Sequence, residues 1–147
     1  MGFLSLYCGD GHAAEELAQE AMVRACRDWH KVRKMERPVA WCQRVGMNLA
    51  NSRYRRVAAE RRAYRRIQSE RVATSDPAES IAVRQSLAAL PRRQRAVLLL
   101  RYFDDLTYPQ IAETLDLPVP TVKSLGRRGI ERLRDSGDFD LSEALLA

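Results

Sequence analysis

The residues best suited to bind a ligand stand on one face of a helix predicted near the C-terminal end of the sequence. Pro120 suits the first turn of this helix, and Val122, Ile130 and Leu133 mark its inward side. The outward side is small and polar at its start and cationic further on: Thr121, Lys123, Ser124, Arg127 and Arg128. Such side chains bind phosphate oxygens and base edges. The pattern therefore favours DNA binding over the plainer interpretation, a solvated basic face.

The segment before this helix predicts a partner helix and a tight turn. Thr107 is suited to cap the partner helix, Pro109 to stand in its first turn, and Gln110 to complete a capping box. The turn follows at residues 116–118, because Pro118 pushes the residue before it out of the helical region. Two helices joined in this way form a helix-turn-helix, whose second helix enters the major groove of DNA.

A second cationic cluster lies on a predicted helix that begins at Pro38 and runs to about Arg56 or beyond. Residues 52–71 contain eight arginines against two glutamates, with Tyr54 and Tyr64 between them. Cations interleaved with aromatic rings suit single-stranded or distorted nucleic acid, whose phosphates and unstacked bases they bind. This helix therefore predicts a second nucleic-acid surface.

One face of the same helix carries polar and cationic side chains spaced by three or four residues: Arg44, Asn48, Ser52 and Arg55. Its inner side is predicted at Trp41, Val45 and Leu49. Asn48 and Ser52 lower the helix propensity, which indicates a use other than stability. A solvated asparagine is the equally frequent alternative.

The N-terminal part of the chain is acidic, with five acidic residues against two arginines in residues 1–30. Asp10 is suited to cap an amphipathic helix over residues 14–29. The inward face is predicted from apolar spacing: Ala14, Leu17, Ala18, Ala21, Ala25 and Cys26. A different stripe carries Glu16, Gln19 and Glu20 beside Val23. From the pattern alone, a solvated face is slightly favoured for this stripe.

Composition is that of a helical protein with a polyanionic partner. The 147 residues are 46% hydrophobic and 30% charged, and the net charge of +6 makes nucleic acid a plausible ligand. Apolar spacing is helical almost throughout, so an all-α fold is predicted. Residues 68–80 are polar and broken at Asp76-Pro77, which indicates a linker between two small domains.

Catalytic patterns are missing from the sequence. It has no Gly-rich phosphate loop, serine elbow or HExxH motif. Asp104-Asp105 is a carboxylate pair without a partner base or metal ligand. We therefore expect no enzymatic activity, no cofactor and no metal site.

Three cysteines, Cys8, Cys26 and Cys42, are an odd number without close spacing, so we expect reduced thiols. Cys26 and Cys42 are predicted to be small core residues. No apolar run approaches the ~20 residues that a membrane span needs. The expected location is cytoplasmic, without membrane insertion.

Taken together, three segments resemble an extracytoplasmic-function (ECF) sigma factor of the sigma-70 family, of the actinobacterial kind. GDGHAAEELAQEAMVRACRDW resembles a helix of sigma region 2, and PVAWCQRVGMNLANSRYRR resembles its promoter-melting helix. LAALPRRQRAVLLLRYFDDLTYPQIAETL, followed by VPTVKSLGRRGIERLR, resembles sigma region 4. Each segment alone is weak, but the three in this order are specific and cover nearly the whole chain.

The resemblance implies a domain organisation and a function. Region 2 would occupy residues 1–67 and region 4 residues 81–136, joined by a flexible linker over 68–80 and followed by a tail over 137–147. Such a factor binds core RNA polymerase and directs it to promoter DNA for transcription initiation. An anti-sigma factor is the second partner that the resemblance implies.

The resemblance also assigns roles to individual residues. It assigns docking on the β′ clamp helices of the polymerase to Glu16, Gln19 and Glu20. It assigns opening of the minus-ten element to six residues of the melting helix: Arg44, Asn48, Ser52, Arg53, Arg55 and Arg56. It assigns recognition of the minus-thirty-five element to five residues of the helix-turn-helix: Thr121, Lys123, Ser124, Arg127 and Arg128.

The sequence departs from the family pattern at several positions, and two alternatives to a working sigma factor stay open. The family has one more helix before Gly9-Asp10, where only FLSLYC stands here. Gly126 and Gly129 each cost roughly 1 kcal/mol of helix stability relative to alanine, and Pro118 replaces a frequent serine cap. A stand-alone helix-turn-helix regulator that dimerises through its N-terminal helices is one alternative. The other is a degenerate sigma paralogue that cannot melt promoters.

Overall fold

The structure, a computed structural model, describes residues 2–63 and 78–136. In these ranges it contains helices and no strand, which confirms the all-α prediction. In chain order the helices are α1 Gly2–Cys8, α2 Gly11–Arg27, α3 Trp29–Val32, α4 Pro38–Ala63, α5 Ala78–Ala89, α6 Arg92–Leu98 with a π-helical continuation Leu99–Phe103, α7 Tyr108–Leu115, and α8 Val119–Asp135. Most of the predicted linker and the whole predicted tail lie outside the described residues, and α5 begins at Ala78.

Helix α2 begins where the sequence predicts a cap. The carboxylate of Asp10 accepts hydrogen bonds from the backbone N–H groups of His12 and Ala13. The helix ends at Arg27 instead of continuing to Trp29, and α3 follows as a separate short turn. It has four buried residues, as expected for an amphipathic helix: Ala14, Leu17, Ala21 and Ala25.

The prediction that Cys26 is a core residue is wrong, because its side chain is exposed. The buried stripe of α2 is narrow and lined by alanines, and Cys26 lies about 100° around the helix from Ala25. Cys42 is only partly buried.

The inner side of α4 also differs from the prediction. The residues that are buried are Ala40, Gly46, Met47 and Ala50, whereas Trp41, Val45 and Leu49 are only partly buried. Helix α1 causes this difference, because its Leu4 enters the space above Gly46. A Cβ added at Gly46 would lie 2.8 Å from the Leu4 Cδ1 atom. The helices therefore approach through small side chains, and the bulky ones lie at the edge of the contact.

The helix-turn-helix forms as predicted. The hydroxyl of Thr107 accepts from the Gln110 backbone and the Gln110 side chain accepts from the Thr107 backbone, which closes the capping box. The turn passes through Asp116 in the left-handed region, with φ 54°. Helix α8 then begins at Val119 without a side-chain cap at Pro118. Val122 and Leu133 are buried, and Ile130 packs at the edge of the core.

One hydrophobic core joins the N-terminal and C-terminal helices. Tyr7, Leu17 and Met47 belong to the same cluster as Val97 and Ile111. Helix α1 contacts helices of both halves, α2 and α4 in the N-terminal part and α5 and α6 in the C-terminal part. This arrangement places part of α4 opposite α6.

Candidate nucleic-acid interface

The predicted recognition face of α8 is accessible. Lys123, Arg127 and Arg128 are exposed, and Thr121 and Ser124 are partly buried. The inward residues Val122 and Leu133 hold the helix against the core and leave this face outward. Arg127 donates a hydrogen bond of 2.9 Å to Glu131 within α8. Lys123 and Arg128 form no ion pair with any of the described residues.

The predicted melting face of α4 is also accessible. Asn48, Ser52, Arg55 and Arg56 are exposed, whereas Arg44 is partly buried. Arg55 donates a hydrogen bond of 3.2 Å to the hydroxyl of Ser52. The two side chains therefore stand together on the surface, one helical turn apart.

The acidic stripe of α2 lies beside α4. Glu16, Gln19 and Glu20 are all exposed. Glu16 accepts a hydrogen bond of 2.6 Å from Arg53, and the bonded guanidinium lowers the pKa of the Glu16 carboxyl. Glu20 pairs with Arg24 at 2.9 Å within α2. The structure thus joins a residue predicted for polymerase docking to one predicted for DNA.

A cleft of about 530 Å³ separates α4 from α6 and the turn after α7. Four predicted melting residues line its α4 wall: Arg44, Asn48, Ser52 and Arg55. Arg92 and Arg93 line the opposite wall. The cleft is therefore basic on both sides. None of the residues lining it comes from α8, so the predicted recognition face does not contribute to this cleft.

Sequence reasoning missed Arg92 and Arg93. The only signal was a pair of adjacent arginines after Leu90-Pro91, which by itself indicates a solvated helix start. Their position opposite α4 depends on the packing of α1 between the two halves of the chain.

Tyr54 is less free than the predicted stacking role requires. Its hydroxyl donates to the Cys8 carbonyl at 2.7 Å, and the Arg92 guanidinium lies 3.7 Å from the centre of its ring. Burial raises the pKa of Tyr54. The side chain thus links α1, α4 and α6. Tyr64 lies outside the described residues.

Three further observations concern features other than nucleic-acid binding. Asp104 accepts a hydrogen bond of 2.7 Å from Gln43, and burial raises the pKa of its carboxyl. Within residues 2–63 and 78–136 no group of three or more His, Cys, Asp or Glu side chains is arranged to hold a metal ion. The described helices include none that is both long and apolar enough to span a bilayer.

Family profiles match both halves of the chain. The profile described as Sigma-70 region 2 matches residues 1–62, and the one described as Sigma-70, region 4 matches residues 80–133. The solved structure of the sigma factor RpoE in complex with the anti-sigma factor NepR, from Bartonella quintana, has the same fold. Its TM-score is 0.76 over 94% of this chain and 90% of that one, at 22% identity.

Two curated proteins are similar over most of the chain. The ECF RNA polymerase sigma factor SigW of Bacillus subtilis is 32% identical over 142 residues, which cover 86% of this chain and 76% of SigW. The RNA polymerase sigma-H factor of Pseudomonas aeruginosa is 32% identical over 143 residues, which cover 84% of this chain and 72% of the sigma-H factor. This chain therefore belongs to the ECF sigma factors of the sigma-70 family.

Proposed function

We propose that this protein is an RNA polymerase sigma factor that directs the enzyme to promoters and helps to open them. The observation that carries the proposal is that one chain exposes a basic face on α8, a basic face on α4, and an acidic stripe on α2 next to α4. A stand-alone regulator has use for the α8 face but needs no melting face. The protein acts as a DNA-recognition subunit and not as an enzyme.

In this proposal α4 opens the minus-ten element. Extruding a base from the stack costs a few kcal/mol, which the protein must offset by stacking and by hydrogen bonds to the base edge. Exposed Asn48 and Ser52 are suited to read such an edge, because an amide and a hydroxyl both donate and accept. Arg53, Arg55 and Arg56 supply cations for the phosphates of the separated strand.

Helix α8 reads the minus-thirty-five element in the major groove. Thr121 and Ser124 stand in its first two turns, where a recognition helix contacts base edges. The cations Lys123, Arg127 and Arg128 are suited to phosphate, and such contacts position the helix without reading sequence.

The acidic stripe of α2 supports docking on core polymerase. By the family resemblance, Glu16, Gln19 and Glu20 match the positions expected to dock on the clamp helices of β′. An acidic stripe on a basic protein attracts a basic partner surface. For RpoE of Bartonella quintana the solved complex contains an anti-sigma factor, and we propose a protein of that kind as the second partner here.

We also propose the domain bounds 1–67 for region 2, 68–80 for the linker, 81–136 for region 4 and 137–147 for the tail. Their support is that α4 ends at Ala63 and α8 ends at Asp135, whereas α5 begins at Ala78, within the last residues of the proposed linker. Limited proteolysis of the full chain should cut first within residues 64–80. An actinobacterial type is proposed from the resemblance of the three segments, and a family tree that groups the chain with Bacillus factors would contradict it.

The test of function is run-off transcription by core RNA polymerase with and without the protein. Promoter-specific transcripts should need the protein. A variant carrying Asn48→Ala and Ser52→Ala should lose promoter opening, measured by permanganate reactivity of unpaired thymines, by about tenfold or more. Its affinity for core polymerase should stay within about twofold of the unaltered protein.

Equal losses of opening and of polymerase affinity would count against the melting role of Asn48 and Ser52. Polymerase binding without transcripts from the unaltered protein would favour a degenerate paralogue. DNA binding without polymerase binding would favour a stand-alone regulator.

A further inference from the structure

The cleft between α4 and α6 has the charge of an anion site. Arg44 and Arg55 face it from α4, and Arg92 and Arg93 face it from α6. No carboxylate is among the described residues that line it. Its volume of about 530 Å³ lies within the range of small-molecule sites, roughly 300–1,000 Å³.

The four arginines are not neutralised within the described part of the chain. Arg44 and Arg93 have no ion pair or hydrogen bond there, Arg55 donates to Ser52, and Arg92 lies over the ring of Tyr54. Like charges that line one cleft repel each other, and salt screens this repulsion at the exposed Arg55, Arg92 and Arg93. A bound anion would remove this repulsion and hold α6 against α4.

Uncharged groups in the cleft add directional donors and an apolar floor. Asn51 accepts a hydrogen bond of 2.9 Å from the Tyr7 hydroxyl through Oδ1, so its NH₂ group remains to donate. Asn48 and Ser52 stand beside it. The apolar part of the lining comes from both halves of the chain: Met47, Ala96, Leu115 and Leu117. Guanidinium groups bind phosphate oxygens in bidentate geometry. The apolar side chains of the cleft floor can pack against a flat ring.

We propose that this cleft binds a small multivalent phosphate anion, either a nucleoside triphosphate or an inorganic polyphosphate. The site is composite, since α4 and α6 each contribute two of the four arginines that line it. It shares Arg44, Asn48, Ser52 and Arg55 with the proposed melting face, so a bound anion and an opened promoter strand exclude each other. The binding itself does not depend on the proposed function.

Isothermal titration calorimetry of the full chain tests this proposal without polymerase or DNA. The probes are sodium tripolyphosphate and ATP, each titrated at 50 mM and at 150 mM salt. One equivalent should bind, and higher salt should weaken binding. Tighter binding of ATP would support a contribution of the apolar floor, and equal binding would support recognition of the phosphate chain alone.

Arg93→Gln should weaken binding about tenfold, because it removes one charge-assisted contact. Arg44→Gln, on the opposite wall, should weaken binding by a similar factor. This second variant shows whether the loss in Arg93→Gln comes from a folding defect. Arg134→Gln is the matched control, since Arg134 is exposed on α8 and outside the cleft. Absence of saturable binding, or an equal loss in Arg134→Gln, would overturn the proposal.

Discussion

Glu16 belongs to the acidic stripe of α2 and also forms an ion pair with Arg53 of α4. Both side chains are about half exposed, at 52% and 44%, so the pair can exchange for other partners. A basic polymerase surface would compete with Arg53 for the carboxylate. This would release the guanidinium for DNA as the factor docks.

Charge reversal at Glu20, in the same acidic stripe, tests the proposed docking role of the stripe at the level of a single residue. Glu20→Lys should weaken binding to core polymerase by about tenfold while leaving the helical fold intact. Glu15→Lys is the matched control, because Glu15 is exposed on the same helix but outside the stripe. Surface plasmon resonance against immobilised core enzyme measures both. Similar losses in the two variants would assign the effect to overall charge.

The three cysteines should differ in reactivity with iodoacetamide. The thiolate is the reactive form, and burial raises the pKa of Cys8 to about 11. Burial also raises the pKa of Cys42, whereas Cys26 is exposed. At pH 8 we expect Cys26 to be alkylated first and Cys8 last, as measured by peptide mass spectrometry.

The pH dependence of this reaction has a defined sign. Because the folded-state pKa of Cys8 lies above the ordinary 9.0, its thiol stays protonated through pH 9 and its labelling should rise only toward pH 11. Unfolded protein in denaturant is the control, and there Cys8 should react as fast as Cys26. Equal rates in the folded protein would contradict the burial of Cys8.

At the scale of an element, the two glycines of α8 have different surroundings. A Cβ at Gly126 would lie 3.4 Å from Val97 Cγ1, an ordinary contact. A Cβ at Gly129 would lie 3.0 Å from Leu98 Cδ1 and 3.2 Å from its Cγ. Gly129 therefore permits the close approach of α8 to α6. At Gly126 the structure shows no such need.

Alanine substitution separates these two cases. Gly126→Ala should raise the free energy of unfolding by up to about 1 kcal/mol, the helix-propensity difference, and raise Tm by a few degrees. Gly129→Ala should raise the free energy of unfolding by less, or lower it, because Leu98 has to shift. Thermal unfolding followed by circular dichroism measures both. A larger gain at Gly129 than at Gly126 would contradict the packing described for α8.

At the scale of the whole molecule, Arg95 joins the two halves of the chain. This buried guanidinium donates to the Tyr7 carbonyl of α1 and to the carbonyls of Ala88 and Leu90. Burial lowers its pKa, and its Nε has no partner among the described residues. The hydrogen bonds and the cost of desolvation therefore oppose each other at one side chain.

Arg95→Met keeps most of the buried stem and removes the three hydrogen bonds. We expect the free energy of unfolding to fall by about 1–3 kcal/mol, since buried carbonyls lose their donors. Arg132→Met, at an exposed position of α8, should change it by less than about 0.5 kcal/mol. Urea denaturation compares them. Unchanged stability in Arg95→Met would mean that desolvation of the charge cancels its hydrogen bonds.

The sequence by itself determined the all-α class and where α2, α7 and α8 begin. Asp10 and Thr107 cap helices because their side-chain oxygens reach N–H groups two or three residues away, and Pro118 disfavours a helical conformation at the residue before it. The outward faces of α2, α4 and α8 follow from spacings of three and four. These signals act within one or two helical turns, so no knowledge of the fold is needed to read them.

Only the tertiary structure decided which long-range partners these helices meet. The buried side of α4 follows from the entry of Leu4 above Gly46, and the exposure of Cys26 follows from the narrow contact of α2. Arg53 meets Glu16, and Arg92 and Arg93 face Arg44 across a cleft, at sequence separations that carry no periodic signal. The physical reason is that shape and side-chain volume select these contacts once several helices are packed together.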